Sequence, residues 1–123
     1  MHRAEGIIVT YTRIYADKDG DTHFEDVTVN MTDSRHAKLS EMIAAKGMIF
    51  RLTKDYFVDW HPAPRRQFVV NLSGEVEIVA SDGEKRVLGP GTILLADDVN
   101  SKGHTSRGIG TTERLSLFIP LAD

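Results

Sequence analysis

The side chains that could do chemistry are concentrated in one short stretch of this sequence, WHPAPRRQFVVNLSG, which spans residues 60–74. Its polar groups are an imidazole, two guanidinium groups and an amide, from His61, Arg65, Arg66 and Gln67. An imidazole changes its charge near pH ~6.5, so it can transfer protons, or bind a divalent metal when it is neutral. A neighbouring guanidinium can bind the negative charge of a ligand. The stretch therefore predicts either one wall of a ligand site or a polar loop that leads into a buried strand.

Composition excludes several classes of protein and of site. A chain of 123 residues, 41% hydrophobic and 27% charged, is typical of one soluble globular domain. The formal net charge of -3 and the absence of a Lys/Arg tract argue against a nucleic-acid partner. The absence of cysteine excludes disulfides, thiol catalysis and zinc–thiolate sites. No apolar run reaches transmembrane length and the N-terminus is too polar for a signal peptide, so we expect a cytoplasmic protein without a membrane partner.

Short strand patterns separated by turns cover most of the chain. Runs rich in β-branched and aromatic residues alternate with turn residues, and Ser81-Asp82-Gly83 is the clearest hairpin turn. The predicted strands are 7–15, 23–31, 48–57, 58–61, 68–72, 75–80, 92–96 and 113–120. Many short strands without alternating helices predict an all-β sandwich or barrel.

One segment, residues 34–46, has a helical pattern. Leu39, Met42 and Ile43 would share a face, with Asp33 or Ser34 able to cap the start and Gly47 the end. The alternative is an irregular excursion between strands. The sequence therefore predicts at most one short helix in an otherwise all-β chain.

Residues 60–104 resemble the two sequence motifs of the cupin superfamily, which are small jelly-roll β-barrels. The first motif has His-x-His, a Glu and a Gly; here His61, the segment PAPRR, Gln67 and Gly74 follow the same spacing. The second motif has Pro-Gly, a short strand and a His; here these are Pro90-Gly91, TILLA and His104. The resemblance implies a single cupin-like domain over residues 1–123, an antiparallel jelly-roll β-barrel with N-terminal strands in 7–31 and barrel motifs in 48–119.

The resemblance also implies a metal site, in a degenerate form. In metal-binding cupins the motif side chains hold a divalent ion, Fe, Mn, Zn or Ni, and the matching positions here are His61, Gln67 and His104. In the first motif, Ala63 stands in place of the second histidine and Gln67 in place of the glutamate, so the set of ligands contains no anionic side chain. A fourth ligand could come from His23, Glu25, Asp97 or Asp98. The resemblance therefore implies either a weakly held metal or an organic anion in its place.

Two functions follow from the resemblance. The first is an enzyme acting on a small polar or anionic metabolite, of isomerase, lyase or dioxygenase type, with His61 and His104 as catalytic residues. The alternative is a non-catalytic ligand-binding or pathway-accessory cupin with no native metal. The predicted ligand-binding residues are Gln67, Arg65, His23 and Asn71. Histidines that face an open cavity would favour the enzyme, whereas histidines bonded to Asn71, Asp98 or the backbone would favour the binding protein.

The strand after Gln67 predicts a partner chain. Side chains alternate along a strand, so Gln67 and Asn71 would face the lumen while the other face holds Phe68, Val70 and Leu72. Such an apolar row needs a cover, which the N-terminal strands of the same or of a second chain could supply. We therefore expect a homodimer.

Overall fold

Strands dominate the structure, a computed structural model that describes residues 7–110 and 113–123. Within these ranges the chain forms twelve strands and no helix, and strands hold about half of the residues. The described residues therefore contain no helix long and apolar enough to cross a membrane. A typical globular protein has only ~20–25% strand, so the predicted all-β class is confirmed.

The strands divide into two main sheets and one small hairpin. The six-stranded sheet has the order β2-β1-β10-β7-β12-β5, the four-stranded sheet β6-β11-β8-β9, and β3 pairs with β4. Neighbours are antiparallel except for β1 and β10, which run parallel. The strands in chain order are β1 Thr10–Ala16, β2 Thr22–Thr28, β3 Thr32–Asp33, β4 Lys38–Leu39, β5 Ile49–Thr53, β6 Phe57–His61, β7 Gln67–Asn71, β8 Glu75–Ala80, β9 Lys85–Leu88, β10 Ile93–Asp97, β11 His104–Ile109 and β12 Arg114–Pro120.

The helix predicted over residues 34–46 is wrong, and the irregular alternative is confirmed. The segment begins in the β3–β4 hairpin and continues without regular structure to Ala45, which forms an isolated bridge with Leu121. The side chains that would have formed the apolar stripe remain exposed: Leu39 at 55%, Met42 at 96% and Ile43 at 53%. A short helix is stable only when its apolar face packs on another element, and this stripe has no such support among the described residues.

The core lies between the two main sheets. The six-stranded sheet contributes Ile14, Phe24 and Leu94, and the four-stranded sheet contributes its own inward row, Val76, Ile78, Ala80 and Leu88. Burying a large apolar side chain is worth about 1.5–3 kcal/mol, so this cluster supplies a major part of the force that holds the sheets together. The strand predicted over 75–80 coincides with β8, whose burial alternates as the sequence pattern requires.

The N-terminal strands extend a sheet, as predicted, but they do not cover its outer face. β1 pairs with β10 and β2 pairs with β1, so both lie in the plane of the six-stranded sheet. On the outer face the Tyr11 ring meets Phe68 edge-on at 5.1 Å. Leu72 remains 46% exposed. Phe68 and Val70 are half-buried within the chain, so only the end of the row at Leu72 has no cover from the described residues.

Candidate functional site

A cavity of about 220 Å³ opens between the two sheets. Its size is below the range of ~300–1,000 Å³ that is usual for drug-sized ligands, which favours a compact ligand. Two arginines and two histidines line it, and none of the lining residues in the described chain is a carboxylate. The lining consists of Arg51, Tyr56, Val58, His61, Ala63, Pro64, Gln67, Val69, Ile78, Leu94, Ala96, His104, Ser106, Arg114 and Phe118.

The two histidines form one end of the cavity. His61 ends β6 and His104 begins β11, and the two are cross-strand partners with ring centroids 4.5 Å apart. The loop before β11 approaches β6 so closely that a Cβ at Gly103 would lie 2.3 Å from the His61 carbonyl group. Gly103 also has φ of +80°, a conformation that other residues rarely adopt. Only glycine at this position allows the two imidazoles to lie side by side.

Each imidazole is held through its Nδ1 atom. His61 Nδ1 lies 2.7 Å from the carbonyl oxygen of Asp59, and a carbonyl only accepts, so Nδ1 donates and a neutral ring presents its Nε2 lone pair. His104 Nδ1 lies 2.5 Å from Oδ2 of Asp98, a carboxylate that is fully buried. Both rings line the cavity and both are also anchored, one to Asp98 and one to the backbone. By the criterion set above, these bonds favour the binding interpretation over the enzyme.

Gln67 lies in the wall beside the histidine end. It is the first residue of β7 and is buried, with its Oε1 accepting a hydrogen bond of 3.0 Å from Arg65 Nε. Arg65 is an exposed residue, but its guanidinium is directed to the Gln67 amide. This bond uses the oxygen of the Gln67 amide and leaves its N–H groups free of that contact.

Arg114 forms the opposite end of the cavity and is the most deeply buried charge in it, at 7% exposure. Its Nε donates 2.7 Å to Asn71 Oδ1, and Asn71 Nδ2 donates 2.8 Å to the Gly74 carbonyl. Gly74 has φ of +72°, and a Cβ there would lie 3.0 Å from the Arg114 Cβ. The glycine of the first motif is therefore required both for the turn and for the position of Arg114.

The Arg114 guanidinium has no carboxylate partner among the described residues. Burial lowers its pKa, with Tyr56 opposing this effect and the like charge of Arg51 adding to it. A buried charge is costly unless a counter-charge or hydrogen bonds compensate it. The arginine end is therefore a positively charged site in which no carboxylate of the described residues pairs with the buried guanidinium.

Arg51 supports the same end from β5. Its guanidinium stacks over the ring of Tyr56 at 4.8 Å and over that of Phe118 at 5.2 Å, which are cation–π distances. Tyr56 is itself fixed by a 2.6 Å hydrogen bond between its hydroxyl and Ser106 Oγ. The described carboxylates form no ion pair with Arg51, so aromatic faces hold this cation while its N–H groups stay available.

The structure brings together only some of the residues singled out in the sequence. His61, Gln67 and His104 line the cavity, and Asn71 supports Arg114 from outside the lining. His23 lies elsewhere, on the surface, with its ring nitrogens 2.8 Å from both Asp17 and Asp82. Trp60 points away from the cavity and is 51% exposed.

Arg51 and Arg114 were missed in the sequence, although a signal for Arg114 was present. In the strand RLSLFIP the apolar residues Leu115, Leu117 and Ile119 alternate with Arg114, Ser116 and Phe118. The first set faces outward and the second lies towards the facing sheet, where Ser116 is fully buried. Period-two alternation therefore places the arginine inside as soon as the apolar outer row is recognised.

The residues at the histidine end do not fit a divalent metal. The Oε1 atom of Gln67 already accepts from Arg65, and Ala63 occupies the wall where a third imidazole would be needed. Among the fourth-ligand candidates, Asp98 binds His104, while Glu25 and Asp97 bind Arg13. The described residues contain no group of three or more His, Cys, Asp or Glu side chains with metal-binding geometry. Two imidazoles alone, in a cavity with two arginines, are a poor donor set for a cation.

Comparisons with known proteins include two similarities of overall shape. No protein-family model and no curated protein matches the chain. Protein NMB1881 from Neisseria meningitidis is 19% identical with a TM-score of 0.44, over 67% of this chain and 81% of that one. A proposed ethanolamine utilization protein Q from Salmonella typhimurium LT2 is 15% identical with a TM-score of 0.46, over 96% of this chain and 100% of that one. At these levels neither similarity carries a functional argument, which must come from the cavity itself.

Proposed function

We propose that this chain is a small cupin-type binding protein whose cavity takes a compact organic anion without a metal. The observation that carries the proposal is the buried guanidinium of Arg114, which has no carboxylate partner in the described chain. A ligand carboxylate would provide the missing counter-charge. Asn71 uses the Nε of Arg114, so the terminal N–H groups of Arg114 and the guanidinium of Arg51 remain for the ligand.

The physical chemistry of guanidinium groups supports this assignment. A planar guanidinium binds a carboxylate through two parallel hydrogen bonds, which are about twice as strong as neutral ones. The cavity walls between the two ends are largely apolar, with Val69, Ile78 and Leu94 facing the ligand. Such walls exclude water and strengthen an ion pair inside the cavity.

The test is a thermal-shift panel of small carboxylates, acetate to adipate, at constant ionic strength with chloride as the reference anion. A ligand at 100 times its Kd stabilises the folded state by about 2.7 kcal/mol, so binding is visible as a rise in Tm. We expect the rise for the wild type and its loss in Arg114→Gln. The matched control is Arg107→Gln, because Arg107 is half exposed and pairs with Glu77 outside the cavity.

Two outcomes would contradict the anion site. One is a wild type that shows no Tm rise with any carboxylate beyond that with chloride. The other is a rise that Arg114→Gln and Arg107→Gln retain equally. Circular dichroism shows whether each variant is folded. If Arg114→Gln does not fold, Arg51→Gln takes its place in the test.

A catalytic role is the second candidate, because the imidazoles of His61 and His104 both line the cavity. A carboxylate on Nδ1 orients an imidazole and supports proton transfer at Nε2, which would suit an isomerase or lyase with His61 as the second catalytic residue. Incubation with a bound carboxylate in D2O tests this by mass spectrometry. Deuterium incorporation that His104→Gln abolishes would support catalysis, whereas incorporation no faster than in buffer would leave binding as the function.

We also propose that the chain forms a homodimer through the outer face of the six-stranded sheet. Phe50 is 70% exposed there, and an aromatic side chain buries ~150–250 Å² when covered. A row of such side chains approaches the ~800 Å² that each partner of a stable complex buries, and a twofold contact covers one copy of the patch with the other. The exposed or half-buried apolar side chains on this face include Phe50, Leu52, Phe68, Val70, Leu72, Ile93, Leu115, Leu117 and Ile119.

Phe50→Asp tests the dimer better than Val70→Asp, because Val70 is half buried within its own chain and its replacement would also weaken the sheet. We expect sedimentation velocity to show a dimer for the wild type and a monomer for Phe50→Asp. Phe57→Asp is the matched control, since Phe57 is 60% exposed on the other sheet. A wild type that is already monomeric, or a dimer that Phe50→Asp does not dissociate, would disprove this interface.

A further inference from the structure

The cavity has two chemically different ends, and the strands fix the distance between them. The turn at Gly74 joins the end of β7 to the start of β8, next to Arg114, so the other ends of both strands lie away from it. The far end of β7 is Gln67, and the far end of β8 is Ala80, the cross-strand partner of His104. Four residues of strand span ~13 Å between α-carbons. The imidazoles and Arg114 therefore face each other along the length of the cavity.

The histidine end accepts hydrogen bonds when its rings are neutral. Nδ1 of His61 donates to the Asp59 carbonyl, which leaves Nε2 as an acceptor. Nδ1 of His104 is likewise engaged, by the buried Asp98 carboxylate. A ligand group that meets the two Nε2 atoms must therefore bring a proton donor.

A hydroxyl is the donor that this end favours. A second ligand carboxylate has only acceptor atoms, so two neutral imidazoles would leave it unpaired. A ligand ammonium would place a further cation in a cavity that holds Arg51 and Arg114, with no carboxylate among the described lining residues. The amide N–H groups of Gln67 can donate to the oxygen of a hydroxyl, which both accepts and donates.

We infer that the ligand is a hydroxy acid with its two polar groups well separated, its carboxylate on Arg114 and Arg51 and its hydroxyl beside the two imidazoles, where its single proton is donated to Nε2 of His61. This inference rests on the anion site proposed above. The apolar wall between the two ends, which includes Val69, suits the methylene groups that connect them. A hydroxyl on the carbon next to the carboxylate cannot reach the imidazoles, so the class excludes short 2-hydroxy acids.

Isothermal titration calorimetry with matched pairs of probes tests the inference. The long pair is 5-hydroxypentanoate and pentanoate, the short pair is glycolate and acetate, and glutarate replaces the hydroxyl with a second carboxylate. For the wild type we expect 5-hydroxypentanoate to bind about three- to tenfold more tightly than pentanoate, the value of one hydrogen bond. We expect no such gain for glycolate over acetate, and weaker binding of glutarate than of 5-hydroxypentanoate.

His61→Ala distinguishes the inference from the proposed function. In this variant 5-hydroxypentanoate and pentanoate should bind with about equal affinity, because the gain from the hydroxyl is lost, whereas Arg114→Gln should weaken both ligands. Binding of pentanoate that depends on Arg114 but shows no hydroxyl gain would overturn the hydroxy-acid class and leave the anion site intact. A gain that survives in His61→Ala, or a preference for glutarate, would also overturn it. If no carboxylate binds, the anion site itself is disproved.

Discussion

Arginines occur in two contrasting surroundings in this molecule, around Asp97 on the outer side of a sheet and inside the cavity. Outside, Arg13 and Arg66 donate to the two oxygens of Asp97 at 2.9 and 2.6 Å. Each has a second carboxylate as well, Glu25 for Arg13 and Asp123 for Arg66. Inside, Arg51 and Arg114 have aromatic rings and an amide as neighbours and no described carboxylate.

The pKa shifts of these arginines express the difference. Hydrogen bonds to Asp97 and Asp123 raise the pKa of Arg66, whereas burial lowers the pKa of Arg114. The outer arginines are satisfied by the protein and therefore stabilise the fold. Burial of the Arg114 charge carries a free-energy cost that the proposed ligand carboxylate would offset.

The largest effect expected from this contrast is on ligand affinity. Truncating one partner of a buried, hydrogen-bonded charge pair costs ~2–5 kcal/mol, so Arg114→Gln should weaken carboxylate binding at least about thirtyfold. Arg66→Gln should leave the Kd unchanged, because its carboxylate partners lie in the protein. Titration calorimetry gives the ratio of the Kd of each variant to that of the wild type. Equal losses of affinity in Arg114→Gln and Arg66→Gln would show that the cavity arginine and the outer arginine do not differ in their role in binding.

The next effect is on stability at the outer cluster. Asp97→Asn leaves Arg13 and Arg66 without their shared carboxylate, and we expect the free energy of unfolding to fall by about 1–3 kcal/mol. Urea denaturation at fixed protein concentration, followed by fluorescence of Trp60, measures this value. Carboxylate affinity should stay the same. A variant as stable as the wild type would show that the cluster is merely a set of surface ion pairs.

A smaller effect on stability is expected at Arg114 without ligand. The substitution Arg114→Gln loses a hydrogen bond to Asn71 but relieves the desolvation of a charge, so the two contributions largely cancel. We expect the free energy of unfolding to change by less than ~1 kcal/mol in the same urea experiment. A loss as large as that of Asp97→Asn would indicate that Arg114 is a structural residue.

The smallest effect concerns His23, whose ring nitrogens contact two carboxylates of the protein, as the outer arginines do. Hydrogen bonds to Asp17 and Asp82 raise its pKa, so its contribution is present below the unfolded pKa of ~6.5 and is lost as pH rises through the folded value. His23→Gln should therefore be less stable than the wild type by ~0.5 kcal/mol at pH 5.5, with the difference shrinking towards pH 9. Tm measured across this range checks the trend, with His36→Gln, an exposed histidine, as the control. A stability difference between the wild type and His23→Gln that grows with pH would contradict the stabilising role of the charged His23 ring.

The fold was predictable from local patterns, and its irregular part was not. Strand β8 and the turn after it follow directly from alternation and from Ser81-Asp82-Gly83. β11, HTSRGI, was not predicted because its polar residues and glycine resemble a loop, and only pairing with β6 and β8 makes it a strand. The segment 34–46 has a helical stripe without a surface for it to pack on, which is a tertiary property that the sequence pattern does not contain.

The candidate site was predictable at its histidine end and not at its arginine end. His61, Gln67 and His104 belong to recognisable motifs, so their convergence on one cavity could be expected. Arg51 and Arg114 belong to no motif, and they stand out because no carboxylate of the described residues pairs with them. Which carboxylates lie near a given arginine depends on the three-dimensional arrangement of the chain, so this feature becomes visible only in the structure.

The most direct test of the anion site is a crystal structure of the wild-type protein grown with 5-hydroxypentanoate. We expect a carboxylate within about 2.7–2.9 Å of the guanidinium nitrogens of Arg114, with Arg51 as the second donor. The hydroxyl should lie towards His61 and His104. A cavity that contains only water, or a ligand whose carboxylate contacts the imidazoles while Arg114 remains without an anion, would contradict this prediction.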